Sequence, residues 1–163
     1  MINLDRHAAE TSHLILNYVD KPVKDGALQA KNIEKLATDS LGVLQEQGLY
    51  AFFLYLLSKS GEKRKTQKSE LNSEEFGACV ITANLLNLLN KPELNSLDSV
   101  FANGWDKSPP KVNSCKEDIL KHISGQIAAD LKRLLLVKSL FEQVLIYTRY
   151  GAKALTSSTA EAL

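Results

Sequence analysis

The stretch QGLYAFFLYLLSKSGEKRK, residues 47–65, decides the fold of this chain. Nine successive apolar or aromatic residues, Leu49 to Leu57, are followed within two positions by a run of Lys and Arg. Short apolar runs are ambiguous between a buried strand and a helix. We favour a helix because Leu and Ala are abundant, β-branched residues are absent and the flanking segments have helical patterns. A helix that is apolar all round must be covered by neighbours on most sides, so the sequence predicts a buried helix that leads into a positive loop.

Apolar residues recur at helical spacing on the N-terminal side of this stretch. The first helix is indicated by Leu4, Ala8, Thr11, Ile15 and Tyr18, which recur at steps of three and four. The segment DKPVKDG then interrupts the pattern. A second helix is predicted from about Ala27, with one apolar stripe formed by Ile33, Leu36, Ala37, Leu41 and Leu44. Gly48 marks the end of that helix or a sharp kink in it.

A further helix is predicted after the positive loop. Ser73 is a candidate N-cap, and Glu74 and Glu75 follow it as first-turn acids. The helix is expected to run to about Asn90, before Lys-Pro. Its polar stripe is narrow, consisting of Asn84, Asn87 and Lys91, and we expect it to face solvent. So narrow a stripe predicts a helix in the centre of the fold.

The C-terminal half contains a break and then a long helical pattern. Residues 92–113 are predicted to be an irregular insertion, because Pro109 and Pro110 interrupt any helix there. The tetrad SCKE, residues 114–117, matches a capping box and predicts a helix start. The helical pattern then continues to about Leu155, with a break or kink near Gly125. Residues 156–163 are expected to form a frayed tail.

These patterns together predict an all-α fold, a compact bundle of about five to six helices. No alternating strand pattern or hairpin turn signal is recognised in the sequence. The chain has 163 residues, of which 44% are hydrophobic, and a domain of this size buries roughly 70% of the surface that its unfolded chain exposes. We therefore expect residues 1–163 to form a single helical domain.

The cysteine content and the hydropathy of the chain indicate the cellular compartment of the protein. Cys79 and Cys115 are far apart and form no CxxC pair, so neither a disulfide framework nor a structural zinc site is predicted. The N-terminal residues do not resemble a signal peptide, and no apolar run approaches the roughly 20 residues of a membrane helix. We expect a cytoplasmic protein without a membrane partner.

The sequence offers no recognisable catalytic machinery. His7, His13 and His122 lack metal-ligand spacing, and no phosphate-binding, dinucleotide-binding, nucleophile-elbow or zincin motif occurs. Glu74 and Glu75 are adjacent and would point apart on a helix, which does not suit a pair of catalytic carboxylates. We expect no enzymatic activity, no catalytic residue, no metal, no cofactor and no small-molecule substrate.

Positive charge is concentrated in two parts of the sequence. The formal net charge is only +1, but residues 59–68 hold five basic side chains and one acidic one, and residues 119–155 hold six and two. The first group consists of Lys59, Lys63, Arg64, Lys65 and Lys68, which we expect on an exposed loop able to hold phosphates. The alternative is a loop whose charges serve solubility alone.

The second basic group lies on the last predicted helix. Lys138, Glu142, Arg149 and Lys153 are spaced so that they share one face. Tyr147 and Tyr150 flank Arg149, and cations beside aromatic rings suit a site that clamps a nucleic-acid backbone and stacks its bases. The alternative is that these tyrosines belong to the core.

Two segments resemble a known family. The segment EQGLYAFFLYLLSK, an apolar helix entered through Gly-Leu and closed by Ser-Lys, resembles the motif of the small-subunit family of the Cmr (type III-B) CRISPR effector complex. The C-terminal segment LFEQVLIYTRYGAKAL is similar to the last helix of that family. The resemblance spans roughly residues 5–155. Tyr147 and Tyr150 stand where the family pattern leads us to expect Trp, and residues 92–113 resemble an insertion.

The resemblance implies a non-catalytic helical subunit of a ribonucleoprotein for antiviral defence. Such subunits stack with copies of themselves and with other Cmr subunits, and they help to hold guide RNA and target RNA. By position, Lys59 matches the motif Lys, and Arg149 with Lys153 match the terminal basic positions. The polar stripe of Asn84, Asn87 and Lys91 could then face a neighbouring subunit. A helical adaptor that binds only protein partners is the alternative function.

Overall fold

The computed structural model describes residues 3–91 and 108–162, with side chains described to Thr156. Within these ranges it contains six α-helices, which confirms the predicted all-α class. They are α1 (Leu4–Leu16), α2 (Ala30–Gln47), α3 (Leu49–Lys59), α4 (Ser73–Leu89), α5 (Lys116–His122) and α6 (Leu131–Ala162). Short 3₁₀ helices span Lys68–Glu70 and Pro109–Cys115, and a π-helical turn spans Ile123–Ile127.

The quoted stretch forms α3, so the helical prediction is confirmed. Gly48 separates α2 from α3 with a φ of +95°, a conformation that favours glycine. Phe52 and Phe53 are buried against Phe141 of α6, with ring centroids 6.2 and 6.0 Å from its ring. The predicted cover on most sides holds for seven of the nine residues from Leu49 to Leu57, which are buried or half-buried. The exceptions are Tyr50 and Leu54, which are exposed. α3 therefore has one anchored face and one free apolar face.

Helix α4 lies at the centre of the fold, as its narrow polar stripe predicted. Nearly every residue from Phe76 to Leu89 is buried, and α4 packs against α1, α2, α3 and the Pro109–Cys115 helix. Its N-cap is Asn72 rather than Ser73, in a capping box with Glu75. The Ser73 hydroxyl instead donates to Asn32 Oδ1 at 2.6 Å, which ties α4 to α2.

The polar stripe of α4 does not face solvent as expected. Asn84 is buried, and its amide donates to the Val80 carbonyl one turn earlier. Lys91, just beyond the helix, pairs with Glu10 of α1 at 3.4 Å. Asn87 Oδ1 is buried without a hydrogen-bond partner among the described residues. Of the three stripe residues, Lys91 is the one that connects α4 with another helix, α1.

The long helix α6 packs along α1 and α2 and closes the core. Its break from α5 falls at the π-helical turn that contains Gly125, as predicted. The expected frayed tail was wrong, because the helix continues through residues 156–162. Buried side chains from all six helices form one hydrophobic cluster. Among the described residues, no helix combines the length and the hydropathy needed to cross a membrane.

Two further local predictions were wrong. The segment DKPVKDG, together with Ala27 after it, forms a small antiparallel hairpin, β1 (Pro22–Val23) and β2 (Gly26–Ala27), in which Val23 pairs with Gly26. The two loop residues are Lys24 and Asp25, and Gly26, the first residue of β2, has a φ of +125°, a conformation that favours glycine. The SCKE capping box does not form, because Ser114 lies in the Pro109–Cys115 helix and donates to the Lys111 carbonyl.

The predicted irregular insertion at residues 92–113 is wrong where the structure describes it. Residues 109–113 belong to the 3₁₀ helix, and Pro109, Pro110, Val112 and Asn113 are buried. The remainder of the predicted insertion, residues 92–107, lies outside the described residues. The described part of this segment is therefore a structural support of α4.

Candidate nucleic-acid interface

The tip of the basic loop, residues 60–68, presents two exposed cations, Lys63 and Arg64. Arg64 Nε donates to Glu62 Oε2 at 2.7 Å, and both side chains are mostly exposed. This hydrogen bond holds the pKa of the Glu62 carboxyl below its usual value and raises the pKa of Arg64. Exposed ion pairs contribute little to stability, so Arg64 can exchange Glu62 for a phosphate at small cost.

Lys65 differs from its neighbours in the same basic run. Its amine lies 3.1 Å from Glu75 Oε2, and the two side chains are only 18% and 17% exposed. Glu75 also closes the capping box of α4 by accepting the Asn72 backbone N–H. The expectation of an exposed Lys65 was therefore wrong, and this cation holds the loop against the N-terminus of α4.

A buried polar network supports the loop from below. Asn113 accepts the Ser60 hydroxyl at 2.7 Å and donates to the carbonyls of Ser60 and Lys65 at 2.9 and 2.8 Å. Lys116 donates to the Leu57 carbonyl at 2.9 Å and also to the Gly61 carbonyl. Burial lowers the pKa of the Lys116 amine. The network fixes both the end of α3 and the start of the loop.

Asn113 and Lys116 support the loop, although the sequence pattern does not predict this role. Their partners lie 48–59 positions away in the sequence, and residue spacing within one segment does not predict contacts at that separation. The local sequence signal is Asn113 itself, a polar residue three positions after Pro110, and the Pro-Pro pair predicts an irregular segment there. Fixing the loop requires these distant carbonyl contacts as well as the apolar anchor of α3.

Lys59 and Lys68 occupy the two ends of the loop. Lys59 is the last residue of α3; its amine lies 3.8 Å from Glu74 Oε1 and 5.9 Å from the centre of the Tyr55 ring. Lys68 begins the short 3₁₀ helix and is half-buried. Lys63 and Arg64 are therefore the most accessible cations of the first basic group.

The second basic group forms an exposed surface on α6, which we call the α6 surface (Arg149, Tyr150 and Lys153). All three side chains are exposed, Tyr150 by 62%, and the Arg149 guanidinium lies 5.9 Å from the Tyr150 ring centre. Within the described residues, neither Arg149 nor Lys153 forms an ion pair. Tyr150 therefore does not belong to the core, and the Arg149 cation lies beside its ring.

Tyr147 has a different environment from Tyr150. Its hydroxyl donates to Asp5 of α1, and that hydrogen bond to a carboxylate raises the pKa of the phenol. Tyr147 also packs against the core. Of the two tyrosines that flank Arg149, one connects α6 to α1 and the other is free to contact a partner.

The structure places the two basic groups on different elements. The basic loop is fixed to α4 and to the Pro109–Cys115 helix, whereas the α6 surface lies on the helix that packs against α1 and α2. The two basic groups are therefore held by different parts of the core.

The thiols and histidines show no clustering in the described ranges. Cys79 is buried on α4 near the Ser60 carbonyl, and burial raises the pKa of its thiol to about 12. A thiol with that pKa remains protonated near neutral pH. No group of three or more His, Cys, Asp or Glu residues within 3–91 and 108–156 is arranged to hold a metal ion.

Comparison with known proteins finds no matching family model, no matching curated protein and no matching solved structure.

Proposed function

We propose that this chain is a non-catalytic small subunit of a Cmr (type III-B) CRISPR effector complex, in which it helps to hold guide RNA and target RNA. The assignment to this family is supported by the resemblance of residues 46–59 and 140–155 to the small-subunit motifs. On this proposal the protein is cytoplasmic, its partners are other Cmr subunits and copies of itself, and the cleavage chemistry belongs to other subunits.

The observation that carries the proposal is a basic loop tip fixed to the core. Lys63 and Arg64 are exposed, whereas Lys65, one residue further, is held by Glu75, and the loop backbone is held by Asn113 and Lys116. The network stabilises the fold, and it also fixes the backbone beside Lys63 and Arg64, which a loop that served solubility alone would not require. Cations on a loop with a fixed backbone cost less conformational entropy to bind to a phosphate backbone than cations on a mobile loop.

The α6 surface supports the same proposal independently. Arg149 and Lys153 have no carboxylate partner among the described residues, and the centre of the mostly exposed Tyr150 ring lies 5.9 Å from the Arg149 guanidinium. Proteins that bind single-stranded nucleic acid without sequence preference combine cations for the backbone with aromatic rings for the bases. Two such surfaces on one chain suit a ligand that extends along the protein.

The proposal is tested by the salt dependence of RNA binding in the reconstituted complex. Lys63→Ala with Arg64→Ala should lower the affinity for target RNA. The slope of log affinity against log salt should become shallower by about 0.7 for each lost contact to a single strand. Arg149→Ala with Lys153→Ala should do the same. Lys31→Ala with Lys132→Ala removes two exposed cations elsewhere and is the matched control.

Three results of this experiment would lead to different conclusions about RNA binding. Normal assembly with unchanged affinity and slope in both variant pairs would refute the RNA-holding role. A loss that the control pair shares would indicate a general charge effect rather than a site. A loss confined to one pair would assign the RNA path to that surface and remove the other from it.

The alternative function, a helical adaptor for protein partners, is favoured by a separate observation. Leu131 and Leu135 lie one turn apart at the start of α6 and are 68% and 55% exposed. Large apolar side chains exposed in pairs often mark protein contacts. Partner binding that tolerates high salt and is lost in Leu131→Ser with Leu135→Ser, while RNA binding is absent, would support the adaptor function.

A further inference from the structure

A small cleft lies beside Lys59, between α2, α3 and the first turn of α4. It encloses about 80 Å³ and is lined by five titratable side chains, Lys35, Asp39, Tyr55, Lys59 and Glu74, together with Asn32 and Leu36. The lining contains two amines, two carboxylates and a phenol, so donors and acceptors converge while the formal charges cancel. A cleft with this lining suits a neutral ligand whose polar edge carries donors and acceptors side by side.

The Lys59–Glu74 pair at the cleft is open to competition. The Lys59 amine and Glu74 Oε1 are 3.8 Å apart, beyond ordinary hydrogen-bond distance, and both side chains are nearly half exposed. Tyr55 forms an aromatic wall, and its pKa is raised by burial and by the Asp39 and Glu74 carboxylates, so the phenol keeps its proton. A ligand could enter between Lys59 and Glu74 without breaking a strong bond.

The position of the cleft favours a nucleobase as the ligand. Lys59 is four residues before Lys63, a separation of at most about 14 Å along the chain. A strand with its phosphates on Lys63 and Arg64 would therefore carry nearby bases past the cleft. Proteins read unpaired RNA bases through hydrogen bonds to their polar edges and through contact with aromatic rings. The cleft and the loop tip can serve one strand.

We propose that the cleft binds the polar edge of an unpaired guanine, with Glu74 accepting the two adjacent N–H groups and Lys59 donating to the neighbouring carbonyl oxygen. Guanine is the RNA base that presents two adjacent N–H donors, at N1 and N2, followed by an acceptor, O6. A carboxylate beside an amine presents the complementary order. This inference rests on the proposed RNA-holding function and adds a base preference to it.

The test compares short oligouridylates that carry one central guanosine, inosine or adenosine, bound to the full wild-type chain and measured by fluorescence anisotropy. Inosine lacks only the exocyclic amine of guanine, so it removes one of the two donors that Glu74 would accept. We expect the guanosine oligomer to bind roughly fivefold more tightly than either of the others, the lower end of the discrimination that a bidentate base contact gives.

Variants then assign the preference to the cleft. Glu74→Gln should abolish the difference between guanosine and inosine while leaving the affinity for the inosine oligomer nearly unchanged. Glu46→Gln removes an exposed carboxylate elsewhere and should keep the preference. Because the inosine comparison uses the wild-type chain, the proposal can be tested even if a variant folds poorly.

The outcomes separate this inference from the function on which it rests. If all three oligomers bind equally, the proposal of a guanine-binding cleft is refuted. If the double variant Lys63→Ala, Arg64→Ala also loses affinity in that experiment, the RNA-holding function is still supported. If no oligomer binds, guanosine 5′-monophosphate is added to the isotopically labelled chain. Amide shifts around Tyr55 and Glu74 that inosine 5′-monophosphate does not reproduce would retain the cleft, and their absence would refute it.

Discussion

Lys65 and Glu75 form an ion pair, with Nζ 3.1 Å from Oε2, at the point where the basic loop meets the N-terminus of α4. The same carboxylate accepts the Asn72 backbone N–H in the capping box. One acidic side chain therefore stabilises the start of the central helix and fixes a loop residue. The loop tip that carries Lys63 and Arg64 is positioned by this relationship.

The first prediction concerns this ion pair. Lys65→Ala should lower the free energy of unfolding by about 1–2 kcal/mol, between the values typical of exposed and buried pairs, because Glu75 is left partly buried without its cation. Lys63→Ala, at an exposed position of the same loop, should change it by less than about 0.5 kcal/mol. Urea denaturation measures both. Equal effects of the two variants would contradict a specific role for the pair.

The second prediction concerns Gly61, the residue at which the loop leaves α3. Its φ is +101°, and an added Cβ would lie 2.8 Å from Glu75 Oε2 and 3.0 Å from Leu71 Cδ2. Gly61→Ala should therefore destabilise the fold by about 1–3 kcal/mol, through backbone strain and displacement of the Glu75 carboxylate. Thermal unfolding reports the loss.

Gly125→Ala is the matched control for that substitution. An added Cβ at Gly125 meets no atom within 4 Å, and Gly125 lies in the π-helical turn between α5 and α6. Replacing a helical Gly by Ala without a clash is neutral or stabilising, by up to about 1 kcal/mol. A melting temperature that falls equally in both variants would exclude the steric explanation for Gly61.

The third prediction concerns Asn113, which is fully buried beneath the loop. Asn113→Ala should cost about 3 kcal/mol, because the buried carbonyl of Ser60 and the part-buried carbonyl of Lys65 both lose a hydrogen-bond donor. Amide hydrogen exchange in residues 61–68 should also accelerate if the network fixes the loop. Ser114→Ala, at the next residue, should leave both measurements near wild type, since Ser114 makes an exposed local hydrogen bond.

The fourth prediction concerns Cys79. Burial raises the pKa of its thiol from the usual 9.0 to about 12. Between those values the unfolded chain ionises the thiol and the folded chain does not, so the stability due to this group is fully present below about pH 9 and is lost as the pH rises toward 12. The urea midpoint of the wild type should fall over this range.

A substitution isolates the contribution of Cys79 from that of the lysines, which titrate nearby. Cys79→Ala should flatten the dependence of the urea midpoint on pH above pH 9, whereas Cys115→Ala should retain the wild-type slope. A thiol reagent at pH 8 should modify Cys115 in the native protein and reach Cys79 only after denaturation. Rapid native labelling of both thiols would contradict the burial of Cys79.

The helices were predictable because their signals are local. The apolar run of α3, the Gly48 break and the nearly all-apolar α4 each follow from spacing within one segment. The capping box was placed wrongly at Ser114 because the preceding Pro-Pro starts a 3₁₀ helix that uses the Ser114 hydroxyl. The actual box, at Asn72 and Glu75, lies one residue before the predicted start of α4.

The candidate site was less predictable, because neighbours in sequence have different environments. Lys63, Arg64 and Lys65 are consecutive, yet only Lys65 meets Glu75, ten positions away. Tyr147 and Tyr150 are one turn apart, yet Asp5 of α1 binds one of them and the other is exposed. Lys59 and Glu74 meet only because α3 and α4 pack together. Spacing assigns residues to a helix face but does not supply the partner on another element.

The fifth prediction concerns Tyr150 on the α6 surface. If its exposed ring stacks on an RNA base, Tyr150→Ala should weaken the binding of single-stranded RNA by roughly fivefold to tenfold, within the range measured for such stacking. Tyr150→Phe keeps the ring and should bind normally. Because the side chain is 62% exposed, neither substitution should change the melting temperature appreciably.

Salt dependence distinguishes stacking from charge at the α6 surface. Loss of a stacked ring releases no counterion, so Tyr150→Ala should lower the affinity at every salt concentration while keeping the wild-type slope, whereas Arg149→Ala should flatten the slope. Tyr147→Phe, which removes the hydrogen bond to Asp5, should lower stability and leave RNA binding unchanged. Wild-type RNA affinity in Tyr150→Ala, together with a flattened slope in Arg149→Ala, would show that the α6 surface contacts phosphates and that Tyr150 does not stack on a base.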